Sequence, residues 1–198
     1  MQKIVLASGN KGKLRELQQR LGHIADFVPQ SDFNIDTPEE TGKSFLENAL
    51  LKARYVSAKT GLPALADDSG LSVNYLDGAP GIYSARFARP DAEDGDNNLK
   101  LLTELAEVAE ESRGGAFHCA LVLIYPELES SPIICEGIWR GQILSEPKGE
   151  NGFGYDPLFQ PDGLSCSSAE LDPLEKNRIS HRGKAMSLLV SRLTEGSS

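Results

Sequence analysis

The sequence predicts an α/β fold in which helices flank a central mixed β-sheet. In the first third of the chain, short apolar strands at 3–7 and near 26–28 alternate with helices of amphipathic spacing, a pattern typical of this class. Further along, apolar strands over 117–125 and 133–139 enclose a loop bounded by prolines, which indicates an antiparallel hairpin. A length of 198 residues fits one domain, or one domain with two lobes.

Composition and charge exclude several classes of function. A net charge of −9 argues against a protein that coats nucleic acid, because such a protein needs a basic surface. The sequence has no apolar segment long enough to span a membrane, and it begins with a strand rather than a signal peptide. Cys119, Cys135 and Cys166 are widely spaced, and they indicate reduced thiols in a cytoplasmic protein rather than disulfides or a zinc site.

A loop that can bind an anion follows the first predicted strand. This loop, Ser8-Gly9-Asn10-Lys11-Gly12-Lys13, leads into a helix over 13–21 with leucines at helical spacing. Backbone N–H groups at a helix start favour anions, and Lys11 and Lys13 add positive charge there. The loop lacks the spacing of a Walker A motif, and an ordinary turn with solvated lysines is the alternative.

A second helix is predicted over 44–59. Lys52 lies at the edge of its apolar stripe, one turn beyond Asn48, so both side chains could face a cleft. Glu40 precedes this helix and also has a purely structural explanation. With Thr37 as N-cap and a proline at the first helical position, Glu40 would complete a capping box.

Two adjacent carboxylates, Asp67 and Asp68, follow a short apolar run at 64–66. If this run is a strand, the carboxylates stand at its C-terminal end, where open α/β sheets bind ligands. Neighbouring strand residues point to opposite faces, so only one of the two carboxylates can enter a given pocket. The alternative is a turn of sequence Asp-Asp-Ser-Gly, ahead of a second strand that contains Leu71 and Val73.

A glycine-rich loop with two aromatic residues lies in the last third of the chain, over 149–157. Such a loop can bring its backbone close to a flat ligand, with an aromatic side chain as a stacking surface and Asp156 as a hydrogen-bond acceptor. The alternative is a plain hairpin loop.

Three further helices are predicted, one before this loop in the sequence and two after it. One runs over 98–108 with Leu99 on its apolar face, and Asp172 caps a short helix that contains Lys176. The final helix opens at Ser180. Its predicted core face consists of Ala185, Leu188, Leu189 and Leu193.

His181 and Arg182 stand at the start of the final helix. Cations there oppose the helix dipole, a small cost that is easier to understand if a ligand contacts them. The alternative is that both are ordinary surface residues.

The ordered set of these segments resembles a known family, the non-canonical purine NTP pyrophosphatases, also called inosine triphosphate pyrophosphatases, in its bacterial form. The matching segments are Ser8 to Lys13, Glu39-Glu40-Thr41, Glu47-Asn48-Ala49, Ala66 to Gly70, Gly152 to Pro157 and Ile179 to Gly183. The resemblance covers nearly the whole chain, although Cys166-Ser167 stands where many relatives have Lys-Thr. It implies a single two-lobed domain over 1–198, with a long, twisted mixed sheet and a substrate cleft between the lobes.

The resemblance also implies roles for individual residues. Asp68 would be the general base that activates water, and Asp68 and Glu40 would bind Mg²⁺. Contacts to the triphosphate would come from Ser8, Gly9, Asn10, Lys11, Gly12, Lys13, Lys52 and Ser69. Phe153 would stack on the purine, and Arg182 would read its 6-keto oxygen. The rest of the base pocket would be Gly154, Tyr155, Asp156, Lys176 and His181.

The implied activity is Mg²⁺-dependent hydrolysis of dITP, ITP and XTP to the monophosphate and pyrophosphate, which would keep deaminated purines out of DNA and RNA. The resemblance further implies a cytoplasmic homodimer whose partners are purine nucleoside triphosphates, with neither nucleic acid nor membrane among them. A nucleotide-binding sensor without turnover is the alternative from another class. It would need the anion loop and the base pocket, but neither the adjacent carboxylates nor Glu40.

Overall fold

The structure is a computed structural model, and it describes residues 2–8, 11–128 and 130–195. Its strands are β1 (Gln2–Ala7), β2 (Ala25–Pro29), β3 (Ala64–Val73), β4 (Gly114–Ile124), β5 (Ile133–Ile143) and β6 (Phe159–Pro161). Its α-helices are α1 (Lys11–Leu21), α2 (Phe45–Thr60), α3 (Asp94–Glu104), α4 (Pro173–Ile179) and α5 (His181–Glu195). In the part of the chain so described, no helix is long and apolar enough to cross a membrane.

The six strands form one sheet in the order β2-β1-β3-β4-β5-β6. β1 pairs in parallel with both β2 and β3, whereas β5 and β6 are antiparallel. The sheet is therefore mixed, and the predicted α/β class is confirmed. β4 and β5 are neighbours in the sheet, as the predicted hairpin requires.

Contacts divide the chain into two compact units. The first unit comprises Met1–Asp68, Cys119–Gly137 and Lys184–Ser198, and the second comprises Ser69–His118 and Ile138–Gly183. Each unit is discontinuous in sequence.

In the first unit, strand alternation builds a separate apolar cluster on each face of the sheet. Ile4, Leu6 and Leu65 belong to the cluster that also contains residues of α1 and α5. Val5 in β1 and Ala66 in β3 each lie next to one of these residues along the strand, so they point to the opposite face, and they belong to the cluster that contains residues of α2. A residue's parity in β3 thus decides which helices it meets.

The second unit has one apolar cluster, which contains Leu71 and Val73 of β3. Aromatic rings dominate the part around Phe117, Trp139 and Phe159. The Phe117 and Phe159 rings meet edge to face at 4.7 Å, a favourable arrangement for aromatic pairs.

β3 runs without interruption through the four residues that could have formed a turn. Asp67, Asp68, Ser69 and Gly70 are all strand residues, and most of β3 is buried. The turn alternative is therefore wrong, and so is a strand that ends at Ala66. Pairing within the sheet overrides the local preference of Asp and Gly for turns.

Two predicted helix faces are also wrong in part. α3 begins at Asp94, four residues before the predicted start, because Glu93 and Asp96 form a capping box. Leu99 is 67% exposed, and Leu101 is buried in its place. In α5, Leu188 is 48% exposed, while Met186 is buried beside the predicted Ala185 and Leu189.

Candidate active site

In the first unit, the ammonium group of Lys52 lies between two carboxylates. Its Nζ is 2.8 Å from Glu40 Oε1 and 2.7 Å from Asp68 Oδ1. The same Nζ donates a hydrogen bond to the backbone carbonyl of Asp67 at 3.0 Å. Asn48, one helical turn before Lys52 on α2, donates from Nδ2 to Asp68 Oδ2 at 3.3 Å. Asn48 and Lys52 thus both contact Asp68, although only Lys52 was a predicted site residue.

Asp67 is held on the other face of β3 by Lys13. Lys13 Nζ is 2.6 Å from Asp67 Oδ1, and the Cys119 thiol lies 3.7 Å from Asp67 Oδ2. The Asp67 side chain is completely buried, whereas 10% of the Asp68 side chain is exposed. Of the two carboxylates, Asp68 is therefore the one that a solute can reach.

The alternation of β3 explains this division. Asp67 shares the parity of Leu65, which faces α1 and α5, and it binds the lysine of α1. Asp68 shares the parity of Ala66, which faces α2, and it binds the lysine of α2. The predicted opposite orientation of the two carboxylates is confirmed.

Both lysines nevertheless meet at one backbone oxygen. The carbonyl of Asp67 accepts hydrogen bonds from Lys52 at 3.0 Å and from Lys13 at 3.4 Å. Two ammonium groups from different helices are thereby brought together at the middle of β3.

Burial and charge shift the proton affinities of this group. Burial raises the pKa of the Asp68 carboxyl, and the nearby Lys52 ammonium offsets this only in part. Burial alone would lower the pKa of Lys52, but the charges and hydrogen bonds of Asp68 and Glu40 together raise it. Lys52 is therefore held as a cation, while Asp68 is a stronger base than an exposed aspartate.

The donor set of this group fits the magnesium ion that the resemblance implies. Mg²⁺ prefers oxygen and is commonly bound by one or two carboxylates together with substrate phosphates and water. Glu40 and Asp68 supply two carboxylates that converge on one ammonium group. No cluster of three or more His, Cys, Asp or Glu side chains suited to a metal occurs among the described residues. Phosphate and water oxygens would thus have to complete the coordination shell.

The capping explanation of Glu40 is wrong. α2 begins at Phe45 with Ser44 as its N-cap, and the Ser44 hydroxyl accepts a hydrogen bond from the Glu47 N–H. Thr37 instead accepts a hydrogen bond from the Gln30 side chain. Glu40 therefore does not cap α2, and its carboxylate contacts Lys52 instead.

The predicted anion loop is only partly described. Ser8 follows β1, and α1 begins at Lys11 rather than at Lys13, so Gly12 lies in its first turn. Gly9 and Asn10 lie outside the described residues, as does the side chain of Lys11.

In the second unit, an aromatic ring stands beside two cations. Phe153 is 39% exposed, and its ring centroid lies 5.3 Å from Lys176 Nζ and 5.5 Å from Arg182 Cζ. These distances are those of cation–π contacts. Arg182 also approaches the hydroxyl of Ser69, with Nη2 3.5 Å from Oγ.

Asp156 is hydrogen-bonded to two members of this group, Phe153 and Lys176. Its Oδ2 accepts hydrogen bonds from Lys176 Nζ and from the Phe153 N–H, and its Oδ1 accepts one from Ser168 at 2.8 Å. Asp156 is 3% exposed, so its carboxylate is buried but fully hydrogen-bonded. The role of Ser168 had no signal in the sequence, because it depends on a contact 12 residues away.

The neighbouring tyrosine is a structural anchor. Tyr155 is buried, and its hydroxyl donates to the Ser84 carbonyl at 2.8 Å. Burial raises the pKa of this hydroxyl, so it remains a neutral donor. The plain-loop alternative for 149–157 does not account for this number of side-chain contacts.

His181 and Arg182 are not surface residues, because they are only 6% and 5% exposed. The His181 ring stacks on Phe117 with a centroid distance of 4.8 Å and an interplanar angle of 11°. The Trp139 ring also stacks on His181, with a centroid distance of 6.5 Å. His181 therefore joins the aromatic core, and Arg182 extends from it toward Phe153.

Replacing Gly152 by alanine is expected to destabilise the protein and to disrupt the Phe153 group. A Cβ at Gly152 would collide with Asp156 Oδ2 and would lie 2.9 Å from Lys176 Nζ, at a φ of +83° that disfavours alanine. The expected loss in unfolding free energy is about 3 kcal/mol. Gly163→Ala is the matched control, since Gly163 has a φ of +80° with open space around it. This control should cost about 1 kcal/mol. If chemical denaturation gives equal losses for the two variants, the close contacts of Gly152 with Asp156 and Lys176 do not contribute to stability.

The described chain is thus an α/β protein with a six-stranded mixed sheet, a cluster in which lysines of α1 and α2 bind the two aspartates of β3, and a cation-flanked aromatic ring. The sequence profile of the Ham1 family matches residues 4–192, and the chain belongs to this family. The resemblance noted from the sequence segments is confirmed.

Relatives of known name agree with this membership. A dITP/XTP pyrophosphatase of Vibrio cholerae is 52% identical over 196 residues, which cover 98% of both chains. A dITP/XTP pyrophosphatase of Pseudomonas syringae is 56% identical over 190 residues, which cover 96% of both chains. A solved structure of a HAM1 protein from Coxiella burnetii matches with a TM-score of 0.92 at 47% identity, over 98% of this chain and 100% of that chain.

Proposed function

We propose that the protein is a Mg²⁺-dependent nucleoside triphosphate pyrophosphatase that hydrolyses dITP, ITP and XTP to the monophosphate and pyrophosphate. One observation supports it above all others: the carboxylates of Glu40 and Asp68 converge on Lys52. Lys13 lies beside this group, because it donates to the same backbone carbonyl as Lys52, that of Asp67. Such a group combines oxygen ligands for a metal with cations for phosphate. The names of the relatives support the same substrate class.

In this proposal the triphosphate binds the cluster of the first unit. Two ammonium groups stand against three carboxylates there, which leaves one net negative charge that would repel a triphosphate. A bound Mg²⁺ reverses that sign, so metal and nucleotide should bind together. The phosphate contacts are assigned to Ser8, Gly9, Asn10, Lys11, Gly12, Lys13, Lys52 and Ser69.

Asp68 acts as the general base. Its carboxylate accepts from Lys52 and Asn48, and the exposed 10% of its side chain lets an attacking water reach it. Lys13 and Lys52 compensate the charge that develops on the phosphate oxygens. The metal, held by Glu40 and Asp68, would neutralise phosphate charge when bound.

In this proposal the purine base of the nucleotide binds beside Phe153, in the second unit. Phe153 provides an exposed ring for stacking, and Arg182 beside it has a guanidinium that carries hydrogen-bond donors and no acceptor. A donor at this position can donate a hydrogen bond to the 6-keto oxygen of hypoxanthine or xanthine, but not to the 6-amino group of adenine, which is itself a donor. Gly154, Tyr155, Asp156, Lys176 and His181 are assigned to the shape of this pocket.

A panel of purine triphosphates with a pyrophosphate readout tests the proposal. We expect turnover of dITP, ITP and XTP in Mg²⁺ that exceeds turnover of dATP by about a hundredfold, and loss of all activity on chelation of the metal. Equal turnover of dATP and dITP would contradict the base assignment. Full activity in the chelator would contradict the metal assignment.

The sensor alternative has less support. A protein that only binds nucleotide has no need for a reachable aspartate beside a second carboxylate and a lysine. The homodimer, the cytoplasmic location, and a role in clearing deaminated purines from the nucleotide pool remain predictions from the resemblance.

A further inference from the structure

Two side chains of α3 contact the backbone of Gly154, the residue after Phe153. The Gly154 N–H donates to Asp94 Oδ2 at 2.6 Å, and Asn98 Nδ2 donates to the Gly154 carbonyl at 3.0 Å. Asp94 and Asn98 are four residues apart, so they lie on the same face of α3. Both polar groups of Gly154 are thereby bound to one helix.

We propose that Asp94 and Asn98 are positioning residues that set the base-stacking ring of Phe153 and so determine affinity for the purine. This proposal rests on the proposed function, because it deepens the role of the Phe153 group. Neither residue was a predicted site residue, since Asp94 falls in a polar stretch before the predicted helix.

The backbone around Phe153 needs such restraint. Gly152 and Gly154 flank the ring with φ values of +83° and +64°, and glycine is the residue with the greatest conformational freedom. No atom lies within 4 Å of a Cβ position at Gly154, so steric contact there does not restrain the loop. The two hydrogen bonds from α3 supply that restraint on one side of Phe153.

Asp156 supplies the restraint on the other side, because its Oδ2 accepts from the Phe153 N–H at 2.8 Å. Phe153 is 39% exposed, yet the backbone that carries it is hydrogen-bonded both at Phe153 and at Gly154. A ring that is ordered before the ligand arrives loses less freedom on binding. Releasing Gly154 should therefore weaken base binding and leave the carboxylate cluster of the first unit unaffected.

The test compares Asn98→Ala and Asp94→Asn with Asp96→Asn. Asp96 lies in the same first turn of α3 and loses the same charge, but it contacts Arg89 and the Glu93 N–H. We expect the two positioning variants to raise KM for dITP about fivefold with kcat within about twofold. Asp96→Asn should leave KM unchanged, even though it removes the ion pair with Arg89, weakens the capping box and lowers thermal stability.

Two further readouts separate positioning from general damage. Inorganic tripolyphosphate has no base, so its inhibition constant should be the same in Asn98→Ala and in the wild type. Asn98→Ala should also add nothing to Phe153→Ala in a double-mutant cycle, because the ring through which it acts is gone. An equal rise in the tripolyphosphate constant, or full additivity with Phe153→Ala, would overturn the proposal.

Binding of inosine monophosphate to the same variants separates this proposal from the proposed function. If the wild type hydrolyses no purine triphosphate, the proposed function fails. The positioning role is then decided by calorimetry: weaker binding in Asn98→Ala and Asp94→Asn, but not in Asp96→Asn, supports it, and equal or absent binding in all four proteins overturns it.

Discussion

Replacing Asp68 by asparagine is expected to lower kcat on dITP about a thousandfold, because the amide cannot accept the proton of an attacking water. The variant should still fold, since Glu40 continues to pair with Lys52. Steady-state kinetics with saturating Mg²⁺, together with a thermal unfolding curve, measures both expectations. A folded Asp68→Asn protein with more than a tenth of wild-type kcat would contradict the role of general base.

Asp67→Asn is the matched control for this variant. It makes the same chemical change one residue away, on a completely buried side chain that binds Lys13. We expect it to act through Lys13 on phosphate binding, with KM raised about tenfold and kcat lowered much less than in Asp68→Asn. Equal losses of kcat in the two variants would mean that strand parity does not separate their roles.

Replacing Lys52 by methionine is expected to lower the free energy of unfolding by about 3 kcal/mol and to abolish measurable turnover. The substitution leaves Glu40 and Asp68 facing each other without their shared cation. Chemical denaturation at neutral pH measures the loss. Lys59→Met is the control: it removes an exposed lysine in the last turn of the same helix together with a cation–π contact to Tyr55, and it should change stability by no more than about 1 kcal/mol.

The same variant tests the metal ligands without relying on activity. Once the ammonium is removed, Mg²⁺ should raise the melting temperature of Lys52→Met more than that of the wild type, because two uncompensated carboxylates then bind it. Adding Glu40→Gln should remove this extra stabilisation. If Mg²⁺ raises the melting temperature of Lys52→Met equally with and without Glu40→Gln, the ion does not bind at Glu40.

Strand and helix content could be predicted from the sequence because apolar periodicity is a local property. The opposite orientation of Asp67 and Asp68 was also predictable, since alternation depends only on the backbone of β3. Their partners were not. Asp67 binds a lysine 54 residues away in sequence, and nothing local specifies which helix covers which face.

The wrong predictions have related physical causes. Asp-Asp-Ser-Gly favours a turn locally, but the segment lies inside β3, a mostly buried ten-residue strand of the central sheet, and stays extended. The Thr37–Glu40 spacing fits a capping box, yet the helix begins seven residues after Pro38. The start of α3 was misplaced because its cap lies in a stretch of many acidic residues, any of which suits a helix start.

Phosphorus NMR of the products of dITP hydrolysis in Mg²⁺ tests the central claim most directly, because it identifies the bond that is cleaved. The account predicts deoxyinosine monophosphate and pyrophosphate in equal amounts from the wild type, and neither product above background from Asp68→Asn. Deoxyinosine diphosphate with orthophosphate, or unchanged pyrophosphate release by Asp68→Asn, would contradict it.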